Sequence, residues 1–278
     1  MHTTVRQDGT QPVPDGLDQA IRDTAEAIAA LVRDAGDAGG MARAVPGSDW
    51  TVGEVAAHLA LANELMADLA AGRERPYGDG TPGSLAEANA QSLGVFTERR
   101  AEPLATMITE QAGAFLAALS RGAADGPAPA TPMGRMSRNV LASYLLTHML
   151  GHGYDLARAL RRPHMLDRTG VGLCMPFMLS VMPRVANPAT TAGLTAHYRI
   201  RLRGGESFGV SLAGGAVQVT PGAPAERAAC TILLEPVAFL LIALGRLNPW
   251  RAIARGQVLA WGPRPWLAPR FPTLFTAP

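Results

Sequence analysis

A chain of 278 residues, 47% of them hydrophobic, can bury a sizeable core without covalent staples. Its formal net charge of +2 comes from arginines interleaved with acids, so no stripe for nucleic acid emerges, and all 25 basic residues are arginine. With no lysine there is no Walker A lysine, no Schiff-base lysine for pyridoxal phosphate and no lysine nucleophile.

Residues 1–13 are polar and read as a flexible arm. A helix runs from Pro14 to about Ala38, with Ile21, Ala25, Ile28 and Leu31 at three- and four-residue steps. After the break at Gly36–Pro46, Trp50 precedes a T-x-x-E capping box, Thr51 and Glu54. This box opens a second helix through His58, Leu61, Leu65 and Leu69. A Pro/Gly loop over 73–83 leads to Ser84 and Glu87, a second S-x-x-E pattern, predicting a long helix to about Leu119 that Pro103 divides or kinks. A loop over Gly122–Gly134 follows. Ser137 caps a fourth long helix, which ends at Arg162-Pro163.

Four amphipathic helices joined by Gly/Pro loops predict a four-helix bundle over 14–185, with Val171–Pro183 as a hydrophobic connector helix. Beyond Pro188 the texture alternates. Strands are expected at Ala196–Arg203, Ser207–Leu212, Ala216–Thr220, Cys230–Leu234 and Gly256–Trp261, with helices after Pro236 and Pro249. This is a small α+β domain over 190–278. Cys174 and Cys230 form no C-x-x-C pair, which argues for a reducing, cytoplasmic setting. No basic segment followed by an apolar one opens the chain, and its longest apolar runs are too short to span a bilayer, so no membrane partner is expected.

Chemistry concentrates in the histidines. Of six, His58, His148 and His152 lie in helical, apolar surroundings. His148 and His152 leave one helix face a turn apart, a spacing suited to chelating one metal ion. With His58 as third ligand they predict a zinc-type site with an open coordination position. Cys174 is the one candidate for a fourth ligand.

Trp50 through His58, W-T-V-G-E-V-A-A-H, resembles the W-[TS]-V-x-[DE]-[LV]-x-[AG]-H-[LV] signature of the DinB-like, mycothiol-dependent maleylpyruvate isomerase family. His152 through Ala157, H-G-Y-D-L-A, resembles its second signature, H-x-[WY]-D-[LI]-A. The tail is similar to the sterol-carrier-like domain often appended to these enzymes, best over Pro236–Arg246 and Ala252–Gly256. The resemblance implies that His58, His148 and His152 hold a divalent metal, usually zinc, in the bundle core. It implies that the open position takes mycothiol as thiolate. The isomerase proper has Glu four residues before the last histidine. His148 stands there in this chain, which looks more like the thiol S-transferase branch.

Around the ligands, Asp155 shares the face of His148 and His152 and can fix a ligand's tautomer, or pair with Arg158 or Arg162. Tyr144 can donate to developing charge on a substrate, or simply pack. Arg135 and Arg138 can bind a carboxylate or the thiol's polar body, or remain solvated. Glu54 is expected to be occupied by its cap. Phe239, Leu240 and Leu244 can line a lipid tunnel, although core packing explains them equally.

Three functions compete. The first is a metal-dependent S-transferase joining a small thiol to an electrophilic metabolite. The second is an isomerase that uses the thiol transiently, and the third a non-catalytic, metal-stabilised lipid-binding module. The expected assembly is a monomer or homodimer.

Overall fold

The caps and apolar stripes of the sequence account for most of the helices. A computed structural model describes residues 14–79, 81–121, 128–222 and 227–276; the arm expected over 1–13 lies outside them. Helix α1 (Leu17–Ala35) buries Leu17, Ile21, Ala25, Ile28 and Val32 as one stripe. Helix α2 (Val52–Ala70) opens on the expected capping box. The Glu54 N–H donates to Thr51 Oγ1 at 3.3 Å, and the Thr51 N–H donates to Glu54 Oε2 at 2.7 Å.

Two helices, α3 (Leu85–Val95) and α4 (Ala101–Arg121), replace the single one expected from Ser84 to Leu119. Ser84 does not cap α3. Its hydroxyl accepts from the Asp79 N–H and donates to the Thr81 carbonyl. The break falls at 96–100, not at Pro103, which sits in the first turn of α4 where a missing N–H costs little. Glu98 and Arg99 make the break. The Glu98 carboxylate accepts the backbone N–H of Arg99 and of Arg100, while the Arg99 guanidinium collects the carbonyls of Leu93 and Phe96 at the end of α3. The four-helix bundle is therefore α1, α2, α4 and the next long helix, with α3 as a spur on α2.

The loop before that helix contains a small hairpin, β1 (Ala130–Thr131) with β2 (Gly134–Arg135). Helix α5 (Arg138–Leu160) starts at Ser137, whose hydroxyl accepts from the Val140 N–H. Helix α6 (Arg168–Val181) packs along α5 and carries Pro176 in its interior. Proline interrupts the helical ladder, and a side chain repairs it. The Ser143 hydroxyl of α5 donates to the Leu173 carbonyl at 2.8 Å and accepts from the Phe177 N–H at 3.1 Å.

After a short α7 (Pro188–Thr191), the second half forms a five-stranded sheet. Its strands are β3 (Ala196–Leu202), β4 (Ser207–Ala213), β5 (Ala216–Pro221), β6 (Cys230–Leu234) and β7 (Val258–Trp261), ordered β5-β4-β3-β6-β7. Among the described residues, the central β3–β6 pair alone is parallel. Gly214 and Gly215, both at positive φ, make the tight β4–β5 turn. Helices α8 (Pro236–Ala243) and α9 (Pro249–Ala254) connect β6 to β7, and α8 packs on α6.

The last described residues return to the junction. The Asn187 N–H donates to the Leu274 carbonyl, and the Thr276 N–H to the Val185 carbonyl, both at 2.8 Å. The fold is thus a helical bundle joined to a mixed-sheet α+β unit. Among the described residues, no helix is long and apolar enough to cross a membrane.

Candidate metal centre

The capping box of α2 places His58 on its second turn, and the four-residue spacing on α5 places His148 and His152 opposite it. Each histidine offers one ring nitrogen, and the three atoms lie within 4.8 Å of one another. The ring centroids are 4.7 to 4.9 Å apart. His58 Nε2 and His148 Nε2 face each other at 2.9 Å. His58 is buried, and the other two are half-buried.

Burial, followed by the nearby His152 charge, holds the His58 pKa well below the ordinary imidazole value. Burial does the same for His148, seconded by His152, His58 and Arg246. His152 is lowered by burial against the opposing pull of Asp155. All three are therefore neutral near pH 7, the state in which imidazole binds a metal. Among the described residues, the buried His148 Nδ1 and His152 Nδ1 have no hydrogen-bond partner. Converging neutral imidazoles fit a divalent cation of the zinc type. Cys174 is not part of the converging group, and its buried thiol is pushed up to about 12.

The histidines open onto a pocket of about 680 Å³ between the bundle and the sheet domain. Trp50 forms one wall, its ring centroid 5.0 Å from that of His58 and 6.3 Å from that of His152. Tyr144 is in the pocket, 6.5 Å from the His148 ring and stacked at 4.4 Å on Phe177. Burial raises its hydroxyl pKa, so it stays a proton donor. Among the described residues, two cations line the pocket, Arg184 and Arg246, and no carboxylate does.

Asp155 sits 3.4 Å from His152 Nδ1, without forming a hydrogen bond. Its partner is neither Arg158 nor Arg162. Arg158 lies over the Tyr154 ring, and Arg162 pairs with Asp34. Instead Arg246, from the turn after α8, donates Nη2 to Asp155 Oδ2 at 2.8 Å and Nε to Oδ1 at 3.3 Å. Arg246 Nη1 donates to the Leu244 carbonyl at 2.6 Å. Three of its five N–H groups are engaged, leaving donors for the pocket it lines.

Arg135 and Arg138 do not reach this pocket. Arg135 donates to the Ala128 carbonyl, and Arg138 to the carbonyls of Ala118 and Leu119 at the end of α4. Both line a separate hollow beside Arg73 and Arg75. Trp50, Arg184 and Arg246 were not legible as site residues. Trp50 carried a signal, its place in the W-to-H motif, whereas the two arginines carried none. Glu54 is tied into its cap as expected, and Leu244 walls the histidine pocket. Phe239 lines a second cavity, and Leu240 is core.

The profile of the mycothiol maleylpyruvate isomerase N-terminal domain matches residues 21–157. The bundle belongs to that family. The profile of the SCP-2 sterol transfer family matches residues 182–262. Among solved structures, the fold is similar to a crystal structure of the mycothiol-dependent maleylpyruvate isomerase, with a TM-score of 0.52 at 13% identity. That match covers 93% of this chain and 95% of the other. A histidine-to-alanine mutant of the enzyme gives a TM-score of 0.55 with the same identity and coverage. No curated protein matches the sequence. Within the maleylpyruvate isomerase family fold, His58, His148 and His152 occupy the groove that faces the appended domain, and that domain contributes Arg246 beside Leu244 and Thr276.

Proposed function

We propose that this protein is a mycothiol-dependent enzyme that adds the thiol's sulfur to an electrophilic carbon of a small metabolite. His58, His148 and His152 hold a divalent ion, zinc, for the reaction. When bound, the ion supplies the positive charge that brings a thiol from its ordinary pKa of about 8.5 into the neutral range. Three neutral imidazoles leave that charge undiminished. The observation that carries this reading is the convergence of the three histidines in a pocket that, among the described residues, holds two arginines and no carboxylate.

Activating water instead calls for a general base within reach. Asp155 is held by Arg246 and Glu54 by its cap. A thiol needs no such base. Arg184 and Arg246 can receive a carboxylate of the metabolite, and Tyr144 keeps a hydroxyl proton to donate to charge developing on a carbonyl oxygen. Trp50 and Leu244 restrict water at the histidines.

Isomerase chemistry is the first outcome, supported by the family of the bundle. The sulfur adds to one carbon of a cis double bond, the electron pair moves to the conjugated carbonyl, the former double bond rotates, and elimination returns the thiol. The second outcome, S-transfer, keeps the adduct after protonation and is supported by His148 in place of the isomerase glutamate. A cytoplasmic setting fits both.

The test mixes metal-loaded protein, mycothiol and a cis-unsaturated keto acid. An isomerase gives the trans acid with thiol unconsumed; a transferase consumes one thiol per product. Equal turnover in thiol-free buffer overturns both.

A further inference from the structure

A cavity of about 470 Å³ lies between α6, α8 and the sheet. Among the described residues, Arg246 is the only charged one in its lining. Ile242, Ala243 and Leu247 face it from the end of α8 and the following turn, and all three remain half-exposed. Apolar side chains at a helix end normally finish against core. Here they finish against open space. An apolar cavity of about 150 Å³ holds a benzene ring, so this one has room for a group on the order of ten carbons or more.

The cavity is not isolated from the histidines. Phe177, Val185, Leu244, Arg246 and Thr276 line both it and the histidine pocket. The partition between the two is therefore one layer of side chains. Ring centres step 6.5 Å from His148 to Tyr144 and 4.4 Å on to Phe177. Leu244 lies so close to α5 that a Cβ at Gly151 would sit 3.1 Å from its Cδ1. The one cation of the apolar cavity thus stands at the neck, beside Asp155 and the histidines.

We propose that this cavity is the tail subsite of the histidine pocket. The electrophile carries an apolar chain seated between α6 and α8, while its polar reacting end lies at His58, His148 and His152, with Arg246 at the neck between them. The substrate class is an amphipathic unsaturated carbonyl compound, not a small dicarboxylate. This proposal takes its head-group chemistry from the function proposed above; its tail chemistry rests on the cavity alone.

The experiment titrates the full-length, zinc-loaded protein with alkyl hydroxamates from two to twelve carbons, followed by calorimetry. The hydroxamate head probes the ion, and the chain probes the cavity. Affinity is expected to rise about fourfold per buried methylene until the chain fills the space. In Ala243→Trp, which fills the cavity from α8, that rise disappears while acetohydroxamate still binds. Ile253→Asn, which puts a polar group into the lining from α9, flattens it as well and serves if the first variant unfolds.

An affinity independent of chain length, with acetohydroxamate bound, overturns the tail subsite and leaves the metal reading standing. A chain-length dependence just as steep in His148→Ala shows the cavity acting without the histidines, which also overturns it. If acetohydroxamate does not bind at all, the metal reading fails. Decanoate then tests the tail subsite: binding lost in Ala243→Trp and weakened in His148→Ala supports it, and binding unchanged in either variant or absent from the wild type overturns it.

Discussion

Arg246, on the turn that follows α8, closes a two-point contact onto Asp155, three residues beyond His152 on α5. One ion pair therefore ties the appended domain to the helix that carries two of the three histidines. Burial alone would raise the Asp155 carboxyl, but His152 and Arg246 together hold it below the usual carboxylate range.

Removing either partner strands the other in a largely enclosed place, the side chains being 20% and 12% exposed. Arg246→Ala and Asp155→Ala should each lower unfolding stability by about 2 kcal/mol. The double variant should cost clearly less than the sum. Urea unfolding of the four proteins measures this, and strict additivity would show that the pair is not coupled.

The histidine cluster predicts a metal dependence. His58→Ala, His148→Ala or His152→Ala should each remove most of the bound zinc and nearly all thiol-dependent turnover. Elemental analysis of the purified variants decides the matter. Full zinc occupancy in the triple variant would reject the site.

Ser143 repairs the ladder that Pro176 interrupts, and it is fully buried. Ser143→Ala leaves the Phe177 N–H and the Leu173 carbonyl without this partner, at a cost of about 1–3 kcal/mol. Because Phe177 stacks on Tyr144, the same variant should alter tail binding more than zinc content. Denaturation and zinc analysis together check this, and an unchanged midpoint would mean that the backbone groups find another partner.

Glu98 makes a pH prediction. The Arg100 side chain, followed by the N–H groups of Arg100 and Arg99, holds its carboxyl down to about 2. Since the folded value lies below the unfolded one, its contribution is fully present above the unfolded carboxylate pKa and is lost as pH falls through about 2. The side chain lies half-buried at the surface, where solvent screens it, so the effect is small. The melting difference between wild type and Glu98→Gln should be constant from pH 8 to pH 5 and fade towards pH 2. A difference that widened as pH fell would contradict the assignment.

The sequence by itself determined most of the elements and the shared helix face of His148 and His152, because these follow from short-range rules. A capping box fixes where α2 starts, hence the turn that carries His58, and a four-residue step puts His148 and His152 on one face wherever α5 goes. Strand alternation and glycine turns specified the sheet domain in the same local way. The same rules failed at Ser84, where the hydroxyl turned to Asp79 and Thr81, and at 96–100, where Glu98 and Arg99 drew off the backbone partners that a continuous helix needs.

Only the tertiary structure decided what surrounds the histidines. Arg246 meets Asp155 across 91 positions of chain, and no spacing on α5 points to it. Arg135 in β2 and Arg138 at the start of α5 turn to the carbonyls of Ala128 and of the end of α4, so they lie elsewhere. Which side chains complete a pocket depends on how a second domain docks. Docking is set by the summed burial of many residues, and no local pattern records it.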